Sequence, residues 1–158
     1  MATLLLIRHG IPEEYSAGVA DMDRALTPEG WVQAHAVMQG LVGRGLRPHQ
    51  GFQSPFRRAM ETMACLHEAA GGFPLETSPD LEPLCPAEPA FLWLQSLLAD
   101  APPNHIVAVV SHEPFLGCLV HRFTHKPVDM GRASCSVLRH DQGRWQLVEH
   151  LRPADLGA

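Results

Sequence analysis

Two short apolar runs, at residues 4–7 and 106–110, constrain the fold of this chain more than any other feature. A continuous apolar run of this length is typical of a strand buried on both faces, as in a parallel sheet. Segments with the helical spacing of apolar residues lie between the two runs. This alternation predicts a three-layer α/β/α fold with a mostly parallel central sheet. No linker or internal repeat divides the sequence, so we expect residues 1–158 to form a single domain.

Each apolar run is followed by a histidine. Arg8, His9 and Gly10 come after the first run, and Ser111 and His112 come after the second. In open α/β sheets, ligands bind outside the carboxyl ends of the strands. We therefore expect both imidazoles at one ligand-binding edge of the sheet, where Gly10 would let the chain turn close to a ligand. The polar segment after Gly10 is predicted to be a long loop that forms one wall of this site.

Two Thr-Pro or Ser-Pro pairs predict where helices begin. Thr27-Pro28 and Ser54-Pro55 each place a capping hydroxyl before a proline at the first helical position. Arg57 and Arg58 fall in the first turn of the second helix, where only one of two adjacent side chains faces a given site. Two positive charges there oppose the helix dipole, and a bound anion would remove that conflict.

Three weaker patterns complete the expected fold. Apolar spacing predicts a helix over residues 90–99, and Glu113-Pro114 is expected to begin another helix directly after His112. Near the carboxyl end, two apolar segments flank Asp141-Gln142-Gly143, a pattern that predicts a β-hairpin.

Two arginines with two histidines suit a phosphate group. Guanidinium groups bind phosphate oxygens in pairs and stay charged at any relevant pH. A neutral imidazole can attack phosphorus, and a second, protonated imidazole could donate to the phosphoryl oxygens. Metal binding is the competing use of His9 and His112, but nearby arginines would repel a cation and no third ligand has suitable spacing. We therefore expect neither a metal nor another cofactor.

The composition narrows the class of partner and the compartment. Twelve Lys and Arg against 17 Asp and Glu leave a net charge of −5, which argues against nucleic acid as the main partner. Four cysteines without metal-ligand spacing are expected to be buried, reduced thiols of a cytoplasmic protein, with Cys65 and Cys118 inside apolar helical patterns. No apolar run is long enough to span a membrane, and no signal peptide is recognisable.

Four segments, LLLIRHG, LTPEGWVQA, SPFRRAMET and VVSHEP, resemble the histidine phosphatase superfamily, also called phosphoglycerate mutase-like, in order and spacing. The resemblance covers about residues 3–123 and implies that His9 is the nucleophile that becomes phosphohistidine. It implies phosphate-binding roles for Arg8, for His112, and for Arg58, which stands four residues after the serine of its motif, leaving Arg57 as a bystander. Ser134 resembles a family position near the substrate.

The sequence departs from the family pattern where a general acid is usual. Pro83 stands where many members carry a glutamate, and Glu82 and Glu88 are the nearby candidates for the acid. The chain is short, and with Pro83 and the SHEP segment it resembles the small SixA-like phosphohistidine phosphatase branch. An imidazole leaving group needs less proton assistance than an alkoxide, which fits a missing acid.

The expected activity is therefore a metal-independent phosphatase that acts on phosphohistidine proteins or on phosphorylated small molecules. A small-metabolite phosphatase using Glu82 or Glu88, a phosphoglycerate-type mutase, and a catalytically weak phosphate-binding regulatory module are the alternatives. No membrane partner is expected.

Overall fold

Six strands form one mixed sheet in a computed structural model that describes residues 1–158. The strands are β1 (Ala2–Arg8), β2 (Gln50–Gln53), β3 (Leu75–Thr77), β4 (Ile106–Ser111), β5 (Cys135–Asp141) and β6 (Arg144–Leu151). Their order across the sheet is β3-β2-β4-β1-β5-β6. Strands β3, β2, β4 and β1 pair in parallel, and β5 pairs antiparallel with both β1 and β6, so it is the one strand that runs in the opposite direction. The predicted, mostly parallel sheet is thus confirmed.

Four helices cover the two faces of the sheet: α1 (Pro28–Gly43), α2 (Arg57–Ala69), α3 (Ala87–Ala99) and α4 (Phe115–Thr124). Side chains alternate along β1, so Leu4 and Leu6 pack with α3 and α4, whereas Leu5 and Ile7 pack with α1 and α2. This division between two cores explains why the strand is apolar without alternation. The three-layer α/β/α arrangement follows directly.

The two predicted helix starts turn out differently. Thr27 caps α1 as expected, and its hydroxyl accepts a hydrogen bond from the Gly30 amide at 2.9 Å. The prediction for Ser54 is wrong, because α2 begins at Arg57 and Phe56 is its N-cap residue. The Ser54 hydroxyl instead accepts from the Phe56 amide at 3.2 Å within the turn between β2 and α2. It is therefore available to groups at the sheet edge.

Smaller corrections concern later elements. Helix α3 begins at Ala87, one turn before the predicted start, and α4 begins just after Glu113-Pro114. The predicted hairpin is confirmed: Gln142 and Gly143 both have positive φ, as a two-residue turn of type I′ requires.

The segment between β1 and α1 is folded back on itself rather than structureless. Pro12 and Leu26 form an isolated bridge, and the Glu13 amide donates to the Ala25 carbonyl at 2.8 Å. Between these ends lies one turn of 3-10 helix, Asp21–Asp23. The segment therefore presents a fixed side chain, Asp21, toward α2.

The expectation of buried cysteines is only half right. Cys65 and Cys135 are buried, but Cys85 is half-buried and Cys118 is exposed on α4. The pattern failed at Cys118 because the buried face of α4 is formed by its neighbours Leu116, Leu119 and Val120.

None of the helices combines the length and apolar character needed to cross a membrane.

Candidate active site

The ends of β1 and β4 bring the two histidines side by side. The strands are paired in register with Arg8 opposite Ser111, and the His9 amide donates to the Ser111 carbonyl at 3.1 Å. The imidazole rings of His9 and His112 lie with centroids 5.1 Å apart, and the two residues are 5% and 2% exposed. The repeated pattern of strand followed by histidine therefore creates one buried site.

One hydrogen bond fixes the tautomer of His9. Its Nδ1 lies 2.7 Å from the Gly10 carbonyl oxygen, which can only accept, so Nδ1 carries the proton. Burial lowers the pKa of His9 to about 3, and the charges of Arg58, Arg8 and Arg132 add to that effect, although the bond to Gly10 opposes it. At neutral pH the ring is uncharged and its Nε2 carries a lone pair.

His112 has one nitrogen held and one without a partner. Its Nε2 lies 2.8 Å from the Ser54 hydroxyl, and the rings of His112 and Phe56 form a T-shaped pair with centroids 5.2 Å apart. Its Nδ1 is buried and makes no hydrogen bond. Burial, followed by the proximity of His9 and Arg58, lowers the pKa of His112 to about 3. If the Ser54 hydroxyl donates to Nε2, the Nδ1 carries a hydrogen that can be donated to a ligand.

Arg8 is anchored through one end of its guanidinium. Nη1 donates to the Met130 carbonyl at 2.9 Å, and the Met130 amide in turn donates to the Glu113 carboxylate at 3.2 Å. The same carboxylate accepts from the Gly117 amide in α4. The Nε atom of Arg8 is buried without a hydrogen-bond partner. Glu113 therefore fixes Met130, whose carbonyl anchors Arg8.

Of the two adjacent arginines, only Arg58 enters the site. Arg57 pairs with Glu61 at 3.1 Å and its side chain is 55% exposed, whereas that of Arg58 is 6% exposed. Arg58 donates to Asp21 and packs over the Phe56 ring at 4.9 Å. Burial lowers the pKa of Arg58, and the Asp21 charge opposes that shift. Its Nε atom is also buried and without a partner.

Three buried nitrogens without partners thus belong to one cluster: Nε of Arg8, Nε of Arg58 and Nδ1 of His112. The charges of Arg8 and Arg58 act on both histidines, which places the four groups close together. Buried donors that lack a partner are costly, so they indicate a binding site for a ligand that accepts hydrogen bonds. The ligand that this set fits is an oxyanion with several oxygens, such as a phosphoryl group.

The side chains of the remaining predicted residues make no hydrogen bond with this cluster. The Ser134 hydroxyl donates to the Gly131 carbonyl at 2.6 Å, so its hydrogen is engaged within its own loop. Glu88 is held by both nitrogens of an Arg122 fork, at 2.7 and 3.2 Å, on the outside of α3 and α4. Glu82 is half-buried with no side-chain hydrogen bond, and it follows Leu81, whose carbonyl accepts from the Ser111 hydroxyl at 2.6 Å.

Four further residues shape the site without having been predicted: Ser54, Asp21, Glu113 and Arg132. Ser54 does carry a sequence signal, but the Ser-Pro pair predicts a helix cap and not a contact with His112. Arg132 has no side-chain partner, is exposed, and lies near enough to lower the pKa of both Arg8 and His9. It lines a cleft of about 580 Å³, together with residues 11–15, Arg24 and Thr27. No local sequence pattern indicates that residue 132 reaches this edge.

Comparisons with known proteins show the family and the fold of this chain. The family model of the histidine phosphatase superfamily (branch 1) matches residues 4–85. No curated protein sequence matches the chain.

Solved structures show the fold over the full length. The protein histidine phosphatase SixA complexed with tungstate is 23% identical with a TM-score of 0.88, covering 98% of this chain and 99% of that one. A phosphoserine phosphatase mutant from Entamoeba histolytica is 18% identical with a TM-score of 0.78, covering 99% and 100%. A mycobacterial glucosyl-3-phosphoglycerate phosphatase is 22% identical with a TM-score of 0.73, covering 92% and 96%. The predicted phosphoglycerate mutase-like fold is confirmed.

Proposed function

The chain belongs to the histidine phosphatase superfamily, branch 1, and is a phosphatase; from this premise we propose that it hydrolyses phosphohistidine through a covalent intermediate on Nε2 of His9. The observation that carries the proposal is the His9 hydrogen bond to the Gly10 carbonyl. It leaves Nε2 as the nucleophilic atom, and the lowered pKa keeps that atom unprotonated at neutral pH. The phosphorylated ring would keep its Nδ1 proton, stabilised by the same carbonyl.

The reaction divides into two transfers. Nε2 of His9 bonds to phosphorus while the bond between phosphorus and the substrate nitrogen breaks. The substrate imidazole leaves neutral because its other nitrogen takes a proton from solvent. Water then bonds to phosphorus, the bond to Nε2 breaks, and inorganic phosphate leaves as the water's surplus proton returns to solvent. His9 is restored with Nδ1 still protonated.

The three buried nitrogens without a hydrogen-bond partner would bind the phosphoryl oxygens. Nε of Arg8 and of Arg58 would each donate to an oxygen, and Nδ1 of His112 would donate to a third. Charge on these oxygens shifts in the transition state, where fixed donors in a buried site are most effective. The Ser54 hydroxyl would set the His112 tautomer that makes this donation possible.

The hydrogen bonds of the Glu88 and Glu113 carboxylates favour a substrate with a nitrogen leaving group. Glu88 is engaged by Arg122, and Glu113 is engaged by two backbone amides. Phosphohistidine has no need of an acid at the scissile bond, because protonation of its second ring nitrogen has the same effect. A likeness of fold to SixA, named a protein histidine phosphatase, supports the same substrate class.

Glu82 favours a second candidate, a phosphatase of small phosphomonoesters. Its half-buried carboxylate has no partner, and its segment is tied to the end of β4 through Ser111. From there it could protonate an alkoxide leaving group. Similar folds named for phosphoserine and glucosyl-3-phosphoglycerate make this class the natural comparison.

A trapping experiment tests the shared mechanism. Wild-type protein denatured during turnover of a radiolabelled phosphodonor should retain phosphate that is acid-labile and base-stable, and His9→Ala should retain none. Full turnover by His9→Ala would refute the mechanism.

A substrate panel then separates the two classes. Under the first proposal, kcat/KM is higher for a phosphohistidine protein than for phosphoserine or phosphoglycerate, and Glu82→Gln leaves it unchanged. A preference for the monoesters together with a large loss in Glu82→Gln would establish the second candidate instead. Phosphate transfer between two positions of phosphoglycerate, faster than release, would identify a mutase.

A further inference from the structure

We infer that Asp21 is a positioning residue, which holds the Arg58 guanidinium so that its Nε and Nη2 edge faces the phosphoryl group. The inference rests on the proposed function, because it assigns a role to Arg58 in binding that group. Asp21 lies on the 3-10 turn between β1 and α1, and it is 37 residues from Arg58 in the sequence.

Asp21 engages one side of the guanidinium through three contacts. Nη1 of Arg58 donates to the Asp21 backbone carbonyl at 2.9 Å and to Oδ1 at 3.3 Å. Nη2 of Arg58 donates to Oδ2 at 3.3 Å. The contacts therefore lie at the end of the side chain, across Nη1 and Nη2.

The hydrogens that Asp21 does not use form a second fork. A guanidinium has five N–H groups. The three contacts account for both hydrogens of Nη1 and one of Nη2. The hydrogen on Nε and the second on Nη2 remain, side by side and parallel. Arg58 is 5% exposed and its Nε has no partner, so a buried fork is left open for a ligand. Two parallel donors match two oxygens of a phosphoryl group.

Asp21 is itself held in place. Arg24 is buried, and its Nε donates to Oδ1 of Asp21 at 2.8 Å while its Nη1 donates to the Glu13 carbonyl at 2.7 Å. The Tyr15 ring covers the Arg24 guanidinium at 3.8 Å. The carboxylate is thus fixed relative to the loop, and through it Arg58 is fixed as well.

Arg8 is arranged in the same way on the other side of the site. Its Nη1 is anchored on the Met130 carbonyl, and its Nε is buried without a partner. Both arginines are therefore held at their far end and present their Nε. This correspondence argues against the alternative that Asp21 competes with the substrate for Arg58. A competing carboxylate would cover the edge of the guanidinium that includes Nε, and Asp21 does not.

The experiment compares Asp21→Ala and Asp21→Asn with Asp23→Ala. Asp23 lies on the same turn and is exposed, with no side-chain hydrogen bond or ion pair, which makes it the matched control. The measurements are kcat and KM for the best substrate of the panel, and the affinity for inorganic phosphate by calorimetry. The Arg58→Lys variant is made with and without Asp21→Ala.

If Asp21 positions Arg58, kcat should fall about tenfold or more in Asp21→Ala, since small displacements of a group that binds the reacting phosphoryl reduce rates strongly. Asp21→Asn, which keeps one acceptor oxygen, should lose less, and Asp23→Ala should stay within about twofold of wild type. In the Arg58→Lys background, adding Asp21→Ala should lower kcat by a further factor of less than about two, because the two changes remove the same interaction.

An unchanged or increased kcat in Asp21→Ala would overturn the inference, and tighter phosphate binding with it would identify Asp21 as a competitor. Equal losses with and without Arg58→Lys would also overturn it. If Asp21→Ala unfolds, as a thermal melt would reveal, Asp21→Asn carries the same comparison. Failure of the proposed function is distinguishable, because wild-type protein would then neither turn over the panel nor form the His9 adduct.

Discussion

Acidification between pH 7 and pH 5.5 should destabilise this protein through His9 and His112. Burial is the main cause that lowers the pKa of each from 6.5 to about 3. A histidine with a lowered pKa in the folded state stays neutral there, while its unfolded counterpart takes up a proton below pH 6.5. Stability is therefore full above pH 6.5, and it decreases as the pH falls from 6.5 toward 3.

The size of the effect follows from proton linkage. For one group with an unfolded pKa of 6.5, the free energy of unfolding falls by about 1.3 kcal/mol between pH 7 and pH 5.5. The two histidines together should account for about 2.5 kcal/mol, a large part of the 5–15 kcal/mol that is typical of a domain. Burial also lowers the pKa of His105 and His150, which adds a loss in the same direction.

Urea unfolding at the two pH values, in buffer without phosphate, measures the effect. His9→Asn and His112→Asn should each reduce the loss between pH 7 and pH 5.5 by about 1.3 kcal/mol, and the double variant should reduce it by about 2.5 kcal/mol. The contributions of His105 and His150 cancel in this comparison. If wild type and double variant lose the same stability, both histidines titrate normally. The environment would then not keep His9 neutral, and the reasoning about its nucleophilic nitrogen would be refuted.

Three further predictions concern single positions. Gly30→Ala should lower the free energy of unfolding by about 1–3 kcal/mol in urea titrations, because its Cβ would lie 2.5 Å from the Ile11 carbonyl oxygen. Arg58→Lys should reduce kcat about 100-fold in steady-state assays, whereas Arg57→Lys, altered at the surface, should change it by less than about twofold. Arg132→Ala should raise KM about threefold at low ionic strength but not in 0.5 M salt, because salt screens the attraction between an exposed cation and the substrate. An increase in KM that persists in salt would indicate direct contact with the substrate.

Much of the fold could be predicted because its signals are local. Burial on both faces requires a continuous apolar strand, so β1 and β4 were recognisable from residues 4–7 and 106–110 alone. The Thr27 cap and the hairpin turn depend on neighbours within a few residues, and both were predicted. Ser54-Pro55 carries the same local signal as Thr27-Pro28, yet tertiary contacts use the Ser54 hydroxyl for His112 and start α2 later.

The sequence by itself determined the sheet core, the histidines at two strand ends, and an arginine pair of which one member had to face inward. It also carried the motifs of the family. These features survive in the linear chain because each depends on spacing, and parallel strands bring their carboxyl ends to one edge.

Only the tertiary structure decided which nitrogen of His9 is unprotonated, which edge of each arginine is open, and which carboxylates are already engaged. Met130 meets Arg8 across 122 positions, and Asp21 meets Arg58 across 37. Contacts at such separations arise from packing of whole elements and leave no local pattern. Burial lowers the pKa of both histidines and leaves three nitrogens without a hydrogen-bond partner, an arrangement that fits an anion.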